Sequence, residues 1–409
     1  MPDGSFVRHS IYIVMTDRKV QPYLQSSVLK YSNICMYYCM LAIVLLLYSC
    51  SQPKQDDLLE IPVDTNQNHS LPLSEIAAEI TAIELELTDK SLINPDAIIR
   101  IIITENNIIL AEWKIGGSGK VLVFNKDGKF VRSIGSRGQG PGEFNNLSNV
   151  AFDEKNSRLF MMSGNPAKII CYHLDGKFLK ESRLNSSSWD INYFNDELFF
   201  DRILSGDIKH PQNILYRMNE NFHIIDSCLI WENYYERSVF GHTIYSRNYI
   251  VKNNTSVYVY YSEVYSKWSA PIVKVLRDTL YRLEKNHLVP ELKLKFRNDG
   301  FDRAGDKIID LFNLYRSSRY VFAIYEINLY NTQRNTEIPP RYYFCYDTKT
   351  GKGYNMLDGY TDDIHGIEER VSIRPLHTDS EIFYYWHTHM KPADREEPNP
   401  TLYIIKLKK

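Results

Sequence analysis

The sequence predicts an all-β protein, a six-bladed β-propeller, and two observations carry that expectation. The first is aromatic content: 30 Tyr, 18 Phe and 5 Trp make up 13% of 409 residues, and such side chains favour pleated, half-buried surfaces. The second is a recurring strand-and-turn unit. Short apolar runs bounded by Asn, Asp and Gly, such as 98–103, 107–113, 159–162, 256–261 and 382–386, read as strands. Stretches with helical periodicity are scarce. Residues 76–83 admit a helical turn or two, or the first strand.

Two units match closely. Residues 121–131, VLVFNKDGKFV, align with 169–179, IICYHLDGKFL. Each carries Asp-Gly between apolar runs, a strong hairpin signal because glycine accepts the positive φ of a tight turn. Weaker copies stand at 215–222 (LYRMNENF), 280–286 (LYRLEKN), 343–351 (YFCYDTKTG) and 402–407 (LYIIKL). A single small sheet cannot bury both faces alone, whereas radial stacking covers them and leaves only short edges. A β-sandwich or a two-domain β protein gives no reason for one hairpin signature to recur six times.

Charge narrows the function. With 48 Lys+Arg against 50 Asp+Glu, the chain lacks the basic excess of a nucleic-acid binder. The 44% hydrophobic and 24% charged content is ordinary for a globular protein.

Residues 34–48, ICMYYCMLAIVLLLY, carry no charge. The run is short of the roughly 20 residues of a membrane span and fits the apolar region of a secretory signal. It ends in Leu47-Tyr48-Ser49-Cys50, which resembles the lipobox of bacterial lipoproteins. That resemblance implies that Cys50 becomes the lipidated mature N-terminus and the membrane partner. Lipid chains stabilise attachment by about 0.8 kcal/mol per buried CH₂. The implied domains are a signal region at 1–49, a lipidated cysteine with a polar linker at 50–70, and the propeller at 71–409. An uncleaved anchor helix is the other reading. The long stretch before the apolar run makes Met15 or a later Met the candidate start, with Arg18, Lys19 and Lys30 as the positive flank. Beyond the signal region only Cys171, Cys228 and Cys345 remain. They are widely spaced and odd in number, so they read as small core residues rather than a disulfide framework or zinc site.

Residues 121–144, VLVFNKDGKFVRSIGSRGQGPGEF, look like the signature of six-bladed β-propeller lipoproteins of Bacteroidetes, relatives of the NHL-repeat propellers. The matching residues are Asp127, Gly128, Gly135, Gly138, Gly140, Pro141, Gly142, Glu143 and Phe144. The run 278–283 (DTLYRL) is another string such propellers carry. The likeness implies export and lipid anchoring in the cell envelope, on the periplasmic or surface face of the outer membrane.

Residues 136–143 lack the Gly-Lys-Ser/Thr ending and the strand–turn–helix setting of a phosphate cradle. They read as a blade-connecting loop, in which Arg137, Gln139 and Glu143 are the candidate ligand contacts. His387 and His389, two apart, would share one strand face and suit two metal ligands, with Asp362, Asp363 and His365 upstream. No spacing supplies a third ligand, so neither a metal nor any other cofactor is expected. The pairs Glu368-Glu369 and Glu396-Glu397 read as solvated loop charges. The tyrosine runs at 233–236, 258–261 and 341–343 suit blade packing or, on loops, stacking against sugars or peptides. The resulting expectation is an envelope-anchored recognition or scaffold module that binds a glycan, a peptide or a partner protein at its channel mouth. The alternative is a metal-assisted hydrolase or lyase of the NHL or gluconolactonase kind.

Overall fold

The computed structural model describes residues 58–113, 119–185, 188–204, 212–235, 248–252, 256–261, 269–271, 276–297, 309–327, 340–388 and 398–409. The signal segment, Cys50, His389 and the Glu396-Glu397 pair lie outside the described residues.

Two strands precede the first complete sheet: β1 (Leu59–Val63) and β2 (Ala77–Glu84). Blade 1 is β3 (Ile98–Ile103), β4 (Asn107–Glu112), β5 (Lys120–Asn125) and β6 (Phe130–Ile134). Blade 2 is β7 (Leu147–Asp153), β8 (Arg158–Gly164), β9 (Ala167–His173) and β10 (Phe178–Arg183). Blade 3 is β11 (Ile191–Phe194), β12 (Glu197–Leu204), β13 (Gln212–Asn219) and β14 (Ile224–Tyr235), with β17 (Ser269–Pro271) added at its edge. Blade 4 is β15 (Asn248–Lys252), β16 (Val257–Tyr261), β18 (Thr279–Glu284) and β19 (His287–Phe296). Blade 5 is β20 (Ile309–Arg316), β21 (Tyr320–Ile327), β22 (Arg341–Asp347) and β23 (Lys352–Leu357). Blade 6 takes β24 (Arg374–His377), β25 (Ile382–His387) and β26 (Thr401–Leu407) from the C-terminus and its outer strand, β2, from the N-terminus.

Closure of the ring is visible in the core. The buried apolar side chains form six clusters, each lying between two neighbouring blades. On β5, Val121 and Val123 face blade 2 while Leu122 and Phe124 face blade 6. A strand covered on both sides needs apolar residues at every position, so it reads as a continuous run rather than an alternation. Burying each large side chain contributes about 1.5–3 kcal/mol. Cys171, Cys228 and Cys345 are free and buried in these seams, and burial pushes the first two thiols up to about 11.

The six sequence copies all fall on third strands: β5, β9, β13, β18, β22 and β26. In the first five, the following turn contains one left-handed residue: Gly128, Gly176, Phe222, Lys285 and Gly351. The copies at 215–222 and 280–286 therefore keep the backbone geometry and lose only the glycine. Copy six has no such turn because its partner, β2, comes from the far end of the chain.

The tyrosine runs lie on β14, β16 and β22 rather than on loops. Tyrosine suits this architecture because its ring fills an inter-blade seam while its hydroxyl reaches a neighbouring backbone. Tyr260 of blade 4 donates to the Leu311 carbonyl of blade 5 at 2.6 Å.

The folded domain begins earlier than residue 71. Leu59–Val63 pairs in parallel with β19 as a fifth, outermost strand of blade 4, with Ile61 and Val63 buried. Pro62 is tolerated because an edge strand needs no donor on its free side. The chain then follows blade 5, where His69 N–H donates to the Asn355 carbonyl at 2.6 Å and Asn355 Nδ2 donates to the Asp64 carbonyl at 2.7 Å. Residues 76–83 divide between both readings: one helical turn, Leu73–Ile76, leads directly into β2.

Candidate functional site

The innermost strands β3, β7, β11, β15, β20 and β24 surround the axis. Arg100 interrupts the isoleucine run of β3. Its guanidinium donates to Asp190 Oδ1 at 2.5 Å, Asn149 Oδ1 at 3.1 Å, Asn192 Oδ1 at 3.3 Å and the Ile191 carbonyl at 3.1 Å. Residues of blades 1, 2 and 3 are thus joined at one level of the channel. Behind them, Ser188 Oγ bonds the Asp190 carbonyl and Asp201 Oδ1, and Asn213 Nδ2 reaches Asp201 Oδ2.

The network continues to the rim. Asn149 Nδ2 donates to the Trp189 carbonyl at 3.0 Å, holding a backbone whose indole is 56% exposed. Trp113 meets that indole edge-on at 6.0 Å between centroids and donates from Nε1 to Asn146 at 2.9 Å. An exposed aromatic edge next to amide and guanidinium groups offers an apolar face beside hydrogen-bond partners.

On blade 6, Arg374 opens β24 opposite Tyr384 of β25. The Tyr315 hydroxyl donates to the Ile373 carbonyl at 3.2 Å, which brings blade 5 against the residue that precedes Arg374. Arg374 is solvent-accessible although tyrosines surround it, as suits a side chain standing in the axial channel. Burial raises the Tyr384 hydroxyl's pKa, with Arg374 and Arg100 opposing that shift, so it remains a neutral donor.

The glycine-rich loop lies at the same end of the ring, since it too joins an outer strand to the next inner one. It is folded on itself and on blade 2. Gly140 N–H donates to Glu143 Oε2 at 2.9 Å, Gly142 N–H to Glu181 Oε2 at 2.9 Å, and the buried Lys168 ammonium to the Gly140 carbonyl at 3.1 Å and Glu181 at 2.9 Å. At Gly138 a Cβ would stand 2.0 Å from Glu143 Oε2, so a larger residue there would displace the capping carboxylate. Gly142 is required by its φ of +78°. Arg137 and Gln139 are exposed, whereas the Glu143 carboxylate turns inward to cap the loop.

The upstream acids and histidines are dispersed. Asp362 accepts from the Tyr385 hydroxyl at 2.6 Å and contacts His365 Nδ1 at 3.3 Å. Asp363 binds Ser74, and His387 faces Glu369 at 3.9 Å. Among the described residues, no group of three or more His, Cys, Asp or Glu is arranged to hold a metal. Sequence reasoning passed over Arg100, Asp190 and Arg374. The available signals were a lone charge inside an isoleucine run and an arginine opening an inner strand.

The molecule is thus a six-bladed β-propeller with a polar cluster on its inner strands and an aromatic rim. The chain belongs to the family described as Domain of unknown function (DUF4934), whose model matches residues 58–408. No curated protein matches it. Among solved structures it is similar to a Bacteroides fragilis protein described as exported, at 18% identity and a TM-score of 0.58, covering 86% of this chain and 100% of that one. It is also similar to a DUF4221-family member from Bacteroides vulgatus, at 9% identity and a TM-score of 0.47, covering 81% and 97%. At such identities the likeness concerns the fold.

Proposed function

We propose that the protein is an exported, lipid-anchored propeller that recognises a glycan, a peptide or a partner protein of the cell envelope at its channel mouth. The observation that carries this reading is the exposed Trp113–Trp189 edge, tied through Asn149 to the Arg100–Asp190 network. A metal-assisted hydrolase or lyase would need carboxylates or imidazoles converging on the axis. The cluster described here contributes two carboxylates: Asp190, already paired with Arg100, and Asp201, buried behind it and held by Ser188 and Asn213. Arg137 and Gln139, exposed on the loop beside blade 2, are its further candidate contacts. Export and anchoring are supported by the apolar run 34–48, by Cys50 behind its lipobox-like leader, and by similarity to a protein described as exported.

The binding test is capture of envelope glycans, peptides and proteins by wild type and Trp189→Ala. Loss of capture in the variant is expected, and equal capture would remove the rim from the site. The anchoring test is membrane partitioning of Cys50→Ala: release into the soluble fraction is expected, and unchanged partitioning rejects the anchor.

A further inference from the structure

We infer that the axial channel contains a subsite for a carboxylated sugar, with Arg374 as its anion receptor. This deepens the recognition reading above and rests on it. Arg374 and Arg100 occupy matching places on neighbouring inner strands. His377 Nε2 lies 3.4 Å from the Ile103 carbonyl, tying the lower ends of β24 and β3. The two arginines stand three residues upstream of those two positions, on strands that run the same way.

Their partners differ. Arg100 is neutralised by Asp190 and spends its remaining donors on Asn149, Asn192 and the Ile191 carbonyl. Arg374 is paired across the strands with Tyr384 and hydrogen-bonded to it, with Tyr315 and Tyr343 in its electrostatic surroundings, and among the described residues no carboxylate pairs with it. A guanidinium offers five donors and no acceptor, and a protonated phenol adds another donor. A cation whose neighbours are neutral phenols lacks an anion, and a carboxylate matches the guanidinium fork with two parallel hydrogen bonds.

The surroundings select a sugar as the carrier of that carboxylate. Asn149 bonds both Arg100 and the Trp189 backbone, so the charged level and the aromatic rim form one continuous structure. A pyranose presents an apolar face to an indole and hydroxyls to amides. A uronic acid adds the carboxylate for Arg374. A peptide C-terminus would satisfy the arginine but leave the aromatic edge unused.

The test is calorimetric titration of the full-length protein in detergent with short oligogalacturonate, a neutral cello-oligosaccharide of equal length, and a peptide with a free C-terminus. Oligogalacturonate is expected to bind, more weakly as salt rises, and better than the neutral sugar. Arg374→Gln should weaken it roughly 10- to 100-fold. Arg374→Lys should recover part of the loss, because a point charge keeps the attraction without the fork. Matching melting curves of the variants would show that the fold is intact. Equal binding of acidic and neutral sugars, or an unaffected Arg374→Gln, overturns the anion subsite and leaves channel recognition standing. Binding of the peptide alone overturns the sugar as occupant. Failure of every probe, together with no capture of envelope components by the wild type, overturns both readings.

Discussion

The glycine-rich loop and the inner-strand cluster contain similar side chains and use them in opposite ways. In the loop, Glu143, Lys168 and Glu181 are each bound to loop backbone or to one another. Their charges are consumed in holding a tight connection between blades 1 and 2. In the cluster, Arg100 is consumed in the same manner, while Arg374, at the same depth one blade away, faces neutral phenols and the channel. A conspicuous motif marks a demanding backbone path, whereas open recognition chemistry arises where strands remote in sequence meet.

Substitutions can break this contrast. The largest effect is expected from Lys168→Met, which leaves Glu181 without its cation and the Gly140 carbonyl without its donor. A loss of about 2–4 kcal/mol should follow, read as a fall in the urea midpoint. Gly142→Ala should cost about 1–3 kcal/mol, since φ is +78° and the new Cβ would meet the Tyr172 hydroxyl at 2.8 Å. Arg100→Gln should cost a similar amount, because Asp190 is mostly buried and would lose its charged partner.

Acid should loosen the loop specifically. Burial alone would raise the Glu181 carboxyl, but the Gly142 N–H and the Lys168 ammonium outweigh it and hold the pKa below the ordinary value of 4.5. A depressed carboxyl contributes stability that is present above its unfolded pKa and lost as pH falls through the folded one. The protection factor of the Gly142 amide, its exchange rate measured against the unstructured rate at the same pH, should therefore fall below about pH 4.5, and Glu181→Gln should flatten that response. The smallest effect on stability belongs to Arg374→Gln, within about 0.5 kcal/mol of wild type. A large destabilisation there would erase the distinction between the committed and the open arginine.

Much of the fold was legible in local sequence because it repeats. Third strands are buried on both faces, so they read as unbroken apolar runs, and Asp127-Gly128 and Asp175-Gly176 mark the turns after them. Phe222 and Lys285 hide the same turn, since a left-handed backbone can be occupied by a non-glycine residue when its surroundings impose it. Leu59–Val63 was obscured by Pro62 and by acidic neighbours that suit an edge strand as well as a linker. Arg137, Gln139 and Glu143 were legible as a motif. Arg100, Asp190 and Arg374 were not: a lone charge inside the isoleucine run of β3 marks Arg100 as unusual, but nothing local to any of the three names its partners.

The sequence alone determined the all-β class, the six-fold repetition, the burial of Cys171, Cys228 and Cys345, and the apolar segment ahead of Cys50. Those properties depend on periodicity, turn chemistry and side-chain hydrophobicity, which act over a few residues. Only the tertiary structure decided that β2 closes blade 6, that β1 extends blade 4, and that one channel arginine meets a carboxylate while its neighbour, among the described residues, does not. Such outcomes depend on which strands the ring brings side by side, and no short stretch of chain encodes the distance between residues 100, 190 and 374.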